Sequence, residues 1–183
     1  MEAGGNCNGG DPAKVYEYAY THGIPDSTCE QYTASNLSNR RWENFDLCRD
    51  CYGPAPTPDD DGLDNCYKIP FTHYYVSDYY YVVGADKMKA ELAAHGPISC
   101  GIQVTSSFER YTDGIYSESL KSIDLNHEVS VIGYGVTALG QEYWIGRNSW
   151  GTYWGEYGYF RIKMHSDNLG IELDCTAATP SFS

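Results

Sequence analysis

The part of the chain after Pro97 consists of short apolar runs separated by glycines, and this pattern constrains the fold most. Four runs share it: ISCGIQV, HEVSVIGYGV, EYWIGRNS and GYFRIKM. Each is rich in β-branched or aromatic residues and too short for a core helix, and the glycines between the runs mark turns. The sequence therefore predicts an antiparallel sheet or partial barrel here.

The earlier part of the chain contains helix signals. In DPAKVYEYAYTHG, Asp11 is a potential N-cap, Pro12 suits the first helical position, and Gly23 ends the segment. ADKMKAELAAHGP, which ends in Gly-Pro, predicts a second helix. Helices early and strands late predict an α+β fold, with a helical part in residues 1–96 and a β-rich part in residues 97–183.

Cysteine usage points to an oxidising compartment. The 183 residues contain seven cysteines, which suggests disulfides formed on a lysosomal, vacuolar or extracellular route. Residues 29–66 have no apolar periodicity and include GPAPTPDDDG, so we expect a disulfide-stapled surface loop. The alternative is a zinc site, although the spacing is loose and the loop acidic; its four ligands would be Cys48, Cys51, Cys66 and His73.

Charge and hydropathy exclude two classes of partner. Twenty-five acidic against twelve basic residues give a formal net charge of -13, which disfavours nucleic acid and anionic lipid surfaces. No apolar run approaches the roughly 18 residues of a membrane helix. The opening MEAGGNCNGG has no signal-peptide character, so we expect that the sequence begins within a longer protein.

One of the five histidines stands out as a candidate for chemistry. His127 opens the apolar run VSVIGYGV, where a positioned base could lie, and Asn148 in an Asn-Ser-Trp-Gly turn could orient its ring without adding charge. Trp150 could shield that hydrogen bond from water. A serine hydrolase using Ser149 is disfavoured, because a nucleophile elbow needs glycine where this chain has Arg147.

The other four histidines have plainer interpretations. His22 and His95 each precede a glycine that ends a predicted helix, where an imidazolium favours the negative end of the helix dipole. His73 lies in a tyrosine-rich strand and His165 at a strand end, and neither has an obvious partner in the sequence.

Several stretches in chain order resemble the papain-like cysteine protease family: CNGG, then NHEVSVIGYG, then EYWIGRNSWGTYWGEYGYFRI. HGIPDSTC, HGPISCGI and GIYSE are similar to one cathepsin branch, whose members remove residues from the C-terminus of peptides. The resemblance spans nearly the whole chain and corresponds to the C-terminal three-quarters of a family member. It implies an incomplete papain-like fold, with the remainder of the helical domain in residues 1–96 and the β-rich domain in 97–183.

The resemblance also implies roles in a substrate cleft. His127 matches the catalytic histidine, Asn148 the asparagine that orients it, and Trp150 the shielding tryptophan. Four further residues would contact the substrate: Gly10, whose backbone pairs with it like an added strand, Gly9 beside it, Pro12 near the second subsite, and Asn126 through its carbonyl. A peptide or protein is the expected substrate of a monomer that needs no cofactor and no metal.

The family nucleophile does not occur in the 183 residues. It is the second Cys of a Cys-Gly-Ser-Cys-Trp motif, preceded by an oxyanion-hole Gln, and neither is present. Cys7 is a poor substitute, because it lies in a Gly-rich turn at a position the family uses for a disulfide. The sequence is therefore interpreted as a C-terminal fragment of a cysteine peptidase, inactive by itself. The alternative is an inactive homologue that acts as a binding or decoy module.

The resemblance also predicts how the cysteines pair. The resemblance implies three disulfides and leaves Cys7 unpaired; the pairs are Cys29–Cys48, Cys51–Cys66 and Cys100–Cys175.

Two residues depart from the family pattern. Glu128 replaces a small apolar residue, and strand alternation should turn it away from the cleft. Gly146 replaces a larger apolar residue and is expected to weaken strand packing slightly.

Overall fold

The computed structural model describes residues 5–6, 9–29, 48–51 and 66–181. The chain divides into two compact units, the first formed by Met1–Asp78 with Pro180–Ser183 and the second by Tyr79–Thr179. None of the helices in the described ranges has both the length and the apolar character needed to cross a membrane.

The first unit contains one long helix and two small antiparallel strand pairs. The strands β1 (Gly5–Asn6) and β2 (Gly9–Gly10) pair with each other, α1 spans Pro12–His22, and β3 (Cys48–Cys51) pairs with β4 (Cys66–Ile69).

The ends of α1 follow from local signals in the sequence. Asp11 Oδ1 accepts a hydrogen bond from the Ala13 backbone N–H at 3.0 Å, and Pro12 is the first helical residue. Gly23 has a φ of 73°, a conformation that favours glycine, and its N–H donates to the Ala19 carbonyl. The predicted helix is therefore confirmed.

A seven-stranded sheet is the main feature of residues 75–181, and most of it belongs to the second unit; residues 75–78 of its first strand and 180–181 of its last strand are assigned to the first unit. The elements of this region are β5 (Tyr75–Val82), α2 (Ala85–Ala94), β6 (Ile98–Ile102), α3 (Ser106–Glu109), β7 (Ile115–Tyr116), β8 (His127–Val136), β9 (Glu142–Arg147), β10 (Tyr159–Lys163), a 3-10 turn (Asn168–Gly170) and β11 (Cys175–Ser181). The strand order is β5-β11-β6-β8-β9-β10-β7. The pairs from β11 to β10 are antiparallel, whereas β7 joins β10 in parallel. The α+β class is confirmed.

The domain boundary that the sequence suggests between residues 96 and 97 remains a prediction. The compact units divide between Asp78 and Tyr79, so α2 is grouped with the strands that follow it. The reason is packing: Met88 of α2 is fully buried in the core of the second unit, and Leu92 packs against that core.

Gly146 makes room for an aromatic ring. In the register of β9 and β10 it lies opposite Phe160, whose side chain is fully buried. A Cβ added at Gly146 would lie 2.2 Å from Phe160 Cζ. The ring therefore occupies the space that a larger residue would take, and the expected loss of packing at this position is compensated by Phe160.

Gly146→Ala is expected to destabilise the fold by about 1–3 kcal/mol, because the buried ring must move to admit the new methyl group. The matched control is Gly133→Ala, where the nearest atom to an added Cβ is Ile145 Cδ1 at 3.9 Å. Chemical denaturation of both variants measures the difference. Equal unfolding free energies for the two variants would contradict this explanation of Gly146.

Candidate active site

Two neighbouring strands bring His127 and Asn148 together. His127 is the first residue of β8, and Asn148 follows directly after β9, the antiparallel neighbour of β8. Because antiparallel neighbours run in opposite directions, the start of β8 lies beside the end of β9. The Asn148 backbone N–H donates to the Gly158 carbonyl at 2.9 Å, which fixes the turn that carries the amide.

The hydrogen bond between the two side chains defines the state of the imidazole. His127 Nε2 lies 2.9 Å from Asn148 Oδ1, and the Ser149 backbone N–H donates to the same Oδ1 at 2.8 Å. A backbone N–H only donates, so this atom is the amide oxygen and can only accept from His127. In the neutral ring Nε2 therefore carries the proton and Nδ1 keeps its lone pair. Within the described part of the chain, nothing hydrogen-bonds Nδ1.

The asparagine is buried, and a tryptophan lies against the histidine. Asn148 is only 8% exposed, and its buried Nδ2 has no hydrogen-bond partner among the residues that the structure describes. The ring centroids of Trp150 and His127 are 5.0 Å apart, with the planes tilted by 33°. The Trp150 ring therefore lies against the imidazole and shields that side of it from water.

A buried phenylalanine supports the tryptophans from within the core. Phe108 in α3 is fully buried, and its ring centroid lies 6.2 Å from that of Trp150 and 5.2 Å from that of Trp154. Trp154 is also fixed by a hydrogen bond of 2.9 Å from Nε1 to the Glu109 carbonyl. Sequence reasoning missed Phe108, because a single apolar residue in a four-residue helix gives no periodic signal.

An ion pair holds the turn that carries both tryptophans. Arg161 Nε lies 3.2 and 3.0 Å from the two carboxylate oxygens of Glu156, and the Gly114 backbone N–H donates to Oε1 at 3.0 Å. The pKa of Glu156 lies below its ordinary value, mainly because Arg161 donates hydrogen bonds to its carboxylate. Glu156 therefore stays charged and keeps the turn attached to β10.

The residue before His127 is also fixed by its neighbours. The Asn126 backbone N–H donates to the Ile102 carbonyl at 3.0 Å, and its side-chain Oδ1 accepts from the Val104 N–H at 2.8 Å. Asn126 is exposed at the surface of the second unit. Its carbonyl therefore has a defined orientation, and its predicted contact with a substrate remains a prediction.

The other residues with a predicted substrate role lie in the first unit. Gly9 and Gly10 form β2 and are exposed, and Pro12 begins α1. Their predicted roles as substrate contacts remain predictions. Ser149, the candidate nucleophile of the serine alternative, is exposed, and the described residues show no hydrogen bond from its hydroxyl to His127.

Each of the four remaining histidines has a hydrogen-bond or ion-pair partner. His73 Nδ1 donates to the His22 carbonyl at 3.2 Å, so it caps the end of α1, and His22 Nδ1 lies 2.6 Å from the Thr21 hydroxyl. His95 Nδ1 lies 2.8 Å from a Glu91 oxygen, and His165 Nε2 lies 2.6 Å from an oxygen of Glu142. The partners of His73 and His165 are distant in sequence, which is why the sequence did not reveal them.

Two disulfides are present in the described part of the chain. They join Cys29 to Cys48 and Cys100 to Cys175. The Cys48 sulfur is therefore not available as a zinc ligand, and the described residues contain no group of three or more potential metal ligands. Cys51 lies opposite Cys66 in the backbone register of β3 and β4, but their side chains and Cys7 lie outside the described part.

The family profile of the papain family cysteine proteases matches residues 2–179. The chain belongs to this family. A cathepsin Z of Onchocerca volvulus is 43% identical over 96% of this chain and 56% of its own length. A cathepsin B-like protein of Giardia intestinalis, CP3, is 31% identical over 91% of the chain and 50% of its own length. The chain thus spans about half the length of these curated relatives.

Solved structures of the papain family share the fold. The procathepsin B S9 of Trypanosoma congolense superposes with a TM-score of 0.71 at 28% identity, covering 100% of this chain and 57% of its own. The bromelain protease of Ananas comosus, solved with the E64 inhibitor, gives a TM-score of 0.71 at 25% identity, covering 98% of this chain and 74% of its own. The expectation of an incomplete papain-like α+β fold is therefore confirmed.

Proposed function

We propose that residues 1–183 form the imidazole- and amide-bearing part of a cysteine peptidase, and that the sulfur nucleophile comes from a segment outside them. The observation that carries this proposal is the hydrogen bond from His127 Nε2 to Asn148 Oδ1, which leaves Nδ1 as the basic atom. Membership of the papain family supports the same chemistry.

The residues of this chain would act through proton transfer. His127 Nδ1 takes the proton of the incoming thiol, and the thiolate attacks the peptide carbonyl carbon to form a carbon–sulfur bond. When the carbon–nitrogen bond breaks, Nδ1 returns its proton to the leaving amine. Water then hydrolyses the thioester, which releases the acid and restores the thiol. Asn148 keeps the ring in one orientation throughout.

The substrate is a peptide or protein that binds in an extended conformation. The backbone of Gly10, with Gly9 and Pro12 beside it, and the carbonyl of Asn126 are its proposed contacts. Removal of C-terminal residues is proposed from the similarity to cathepsin Z. The disulfides and the cathepsin relatives support a lysosomal, vacuolar or extracellular location.

A fluorogenic peptide assay tests this function. The 183-residue chain alone is expected to give no turnover. The joined peptidase, in which a papain-family segment with Cys-Gly-Ser-Cys-Trp precedes residues 1–183, is expected to cleave the peptide and to be inhibited by an epoxide-type thiol trap. Turnover by the isolated chain that the trap abolishes would refute an external nucleophile. Absence of turnover by a correctly folded joined protein would refute the peptidase assignment.

A further inference from the structure

The segment directly before the candidate catalytic histidine belongs to neither a helix nor a strand, yet hydrogen bonds fix its end. Residues 117–126 join β7 to β8. The ladder between β6 and β8 ends where Ile102 pairs with His127. The Asn126 backbone N–H still donates to the Ile102 carbonyl at 3.0 Å. Beyond this point, side chains continue the hydrogen bonding.

Two side-chain amides extend the ladder past its end. Gln103 Oε1 accepts from the Asp124 backbone N–H at 2.8 Å. In the opposite direction, Asn126 Oδ1 accepts from the Val104 backbone N–H at 2.8 Å, and Asn126 Nδ2 lies 3.5 Å from the Val104 carbonyl. Each amide takes the place of a backbone partner, so residues 124–126 stay beside residues 102–104.

Gln103 is itself held from another part of the chain. Its backbone N–H donates to the carbonyl of Leu169 at 2.7 Å, and Leu169 is fully buried. The Gln103 side chain is half-buried. Because its backbone is already fixed, Gln103 presents its acceptor oxygen to Asp124 with little further loss of conformational entropy.

Apolar contacts hold the same segment against the core but do not set its rotation. A Cβ added at Gly170 would lie 2.6 Å from Ile123 Cγ2 and 2.8 Å from Leu125 Cδ2, so both side chains pack closely there. Asp124, between them, is exposed. Apolar attraction is non-directional. The hydrogen bond from the Asp124 N–H to Gln103 is directional and therefore orients the backbone that leads into Asn126.

We propose that Gln103 is a positioning residue of the peptidase: through the Asp124 backbone it sets the direction of the Asn126 carbonyl, the proposed acceptor for the substrate backbone. In this role it acts through the chain and not by contact with the reacting atoms. The inference rests on the proposed peptidase function and deepens it by naming the residue that arranges one substrate contact.

Hydrogen exchange of the Asp124 amide in the 183-residue chain tests the structural step. Gln103→Met keeps the length of the side chain but has no oxygen to accept the bond, whereas Gln103→Glu keeps an acceptor. The Asp124 amide is expected to exchange at least about tenfold faster in Gln103→Met and at nearly the parent rate in Gln103→Glu. Equal rates in the parent and Gln103→Met would contradict the inference.

Steady-state kinetics of the joined peptidase tests the functional step. Gln103→Met is expected to raise KM about fivefold and to leave kcat within about twofold, because the bound substrate and the transition state share the weakened contact. Gln103→Glu is expected to restore the parent KM. Salt of about 0.5 M screens the added charge from the exposed Asp124.

Gln141→Met is the matched control. Gln141 is also half-buried, and its Nε2 donates to the Glu142 carbonyl at 2.8 Å, at the end of β9 opposite to Asn148. The substitution removes a hydrogen-bonded glutamine amide from the same unit without contact with residues 124–126. Its KM is expected to equal that of the parent.

Modified substrates give a readout that a loss of stability alone would not change. Peptides methylated at one backbone N–H at a time, the scissile one excepted, each lack a single donor. In the parent, methylation at the position that bonds Asn126 is expected to raise KM about fivefold. In Gln103→Met the same methylation should change KM less than about twofold, because the carbonyl no longer faces that donor.

Four outcomes in the joined peptidase would overturn the inference while turnover leaves the peptidase proposal standing. They are an unchanged KM in Gln103→Met, a loss in kcat alone, a failure of Gln103→Glu to restore KM, and an equal effect of methylation in the parent and Gln103→Met. Absence of turnover by the correctly folded parent would instead refute the peptidase proposal, and this inference with it.

Discussion

Replacing His127 by alanine in the joined peptidase is expected to lower kcat/KM at least about 10³-fold, because both the general base and the general acid are lost. Because Nε2 of the imidazole donates a hydrogen bond to Asn148, Nδ1 is the atom that exchanges the proton. Steady-state kinetics with a fluorogenic peptide measures the loss. No neighbouring side chain in the described part of the site could replace this function, since the ring is flanked by Asn148 and Trp150.

The control for this prediction is His95→Ala, which removes an imidazole that contacts only Glu91 and Tyr80 in the described part of the chain. Its kcat/KM is expected to stay within about twofold of the parent, because surface substitutions of this kind change stability little. A loss of less than tenfold in the His127 variant would show that another group transfers the proton.

Removal of the Cys100–Cys175 disulfide is expected to cause the largest loss of stability. Both residues are fully buried, and the bond links positions 75 residues apart in sequence. Closing a loop of that length removes conformational entropy from the unfolded chain equivalent to about 4 kcal/mol. The double variant Cys100→Ala/Cys175→Ala, measured by guanidinium denaturation, should lose about that much unfolding free energy.

Cys7→Ser is the control for the disulfide prediction, since it removes a sulfur that takes no part in either described disulfide. It should leave the denaturation midpoint unchanged. A double variant that unfolds within about 1 kcal/mol of the parent would contradict the prediction, because a native disulfide that closes a long loop typically contributes 2–4 kcal/mol.

The features that the sequence predicted correctly depend on local signals. The N-cap at Asp11, the proline after it and the glycine at position 23 mark the ends of α1, and the structure places them there. The apolar runs after Pro97 became β6, β8, β9 and β10 for the same reason. The family resemblance implied that Asn148 orients His127, and the apposition of the two side chains follows from the pairing of β8 with β9.

The features that the sequence did not predict depend on contacts between distant residues. Nothing near Ile115 indicates that β7 joins β10 in parallel, and the sequence around Gly146 does not show that Phe160 covers it. The position of Phe108 beneath Trp150 likewise arises from tertiary packing. Such contacts are set by how the elements fit together, which periodicity and turn signals do not encode.

The protonation of the His127 ring tests the central claim most directly, because the proposed chemistry needs Nδ1 as the basic atom. NMR of the ring nitrogens in the 15N-labelled chain, recorded with the ring in its neutral form, reports which nitrogen carries the proton. We predict a proton on Nε2 that exchanges slowly with water, a bare Nδ1, and faster exchange of the Nε2 proton in Asn148→Ala. A proton on Nδ1, or an exchange rate that Asn148→Ala leaves unchanged, would contradict the account.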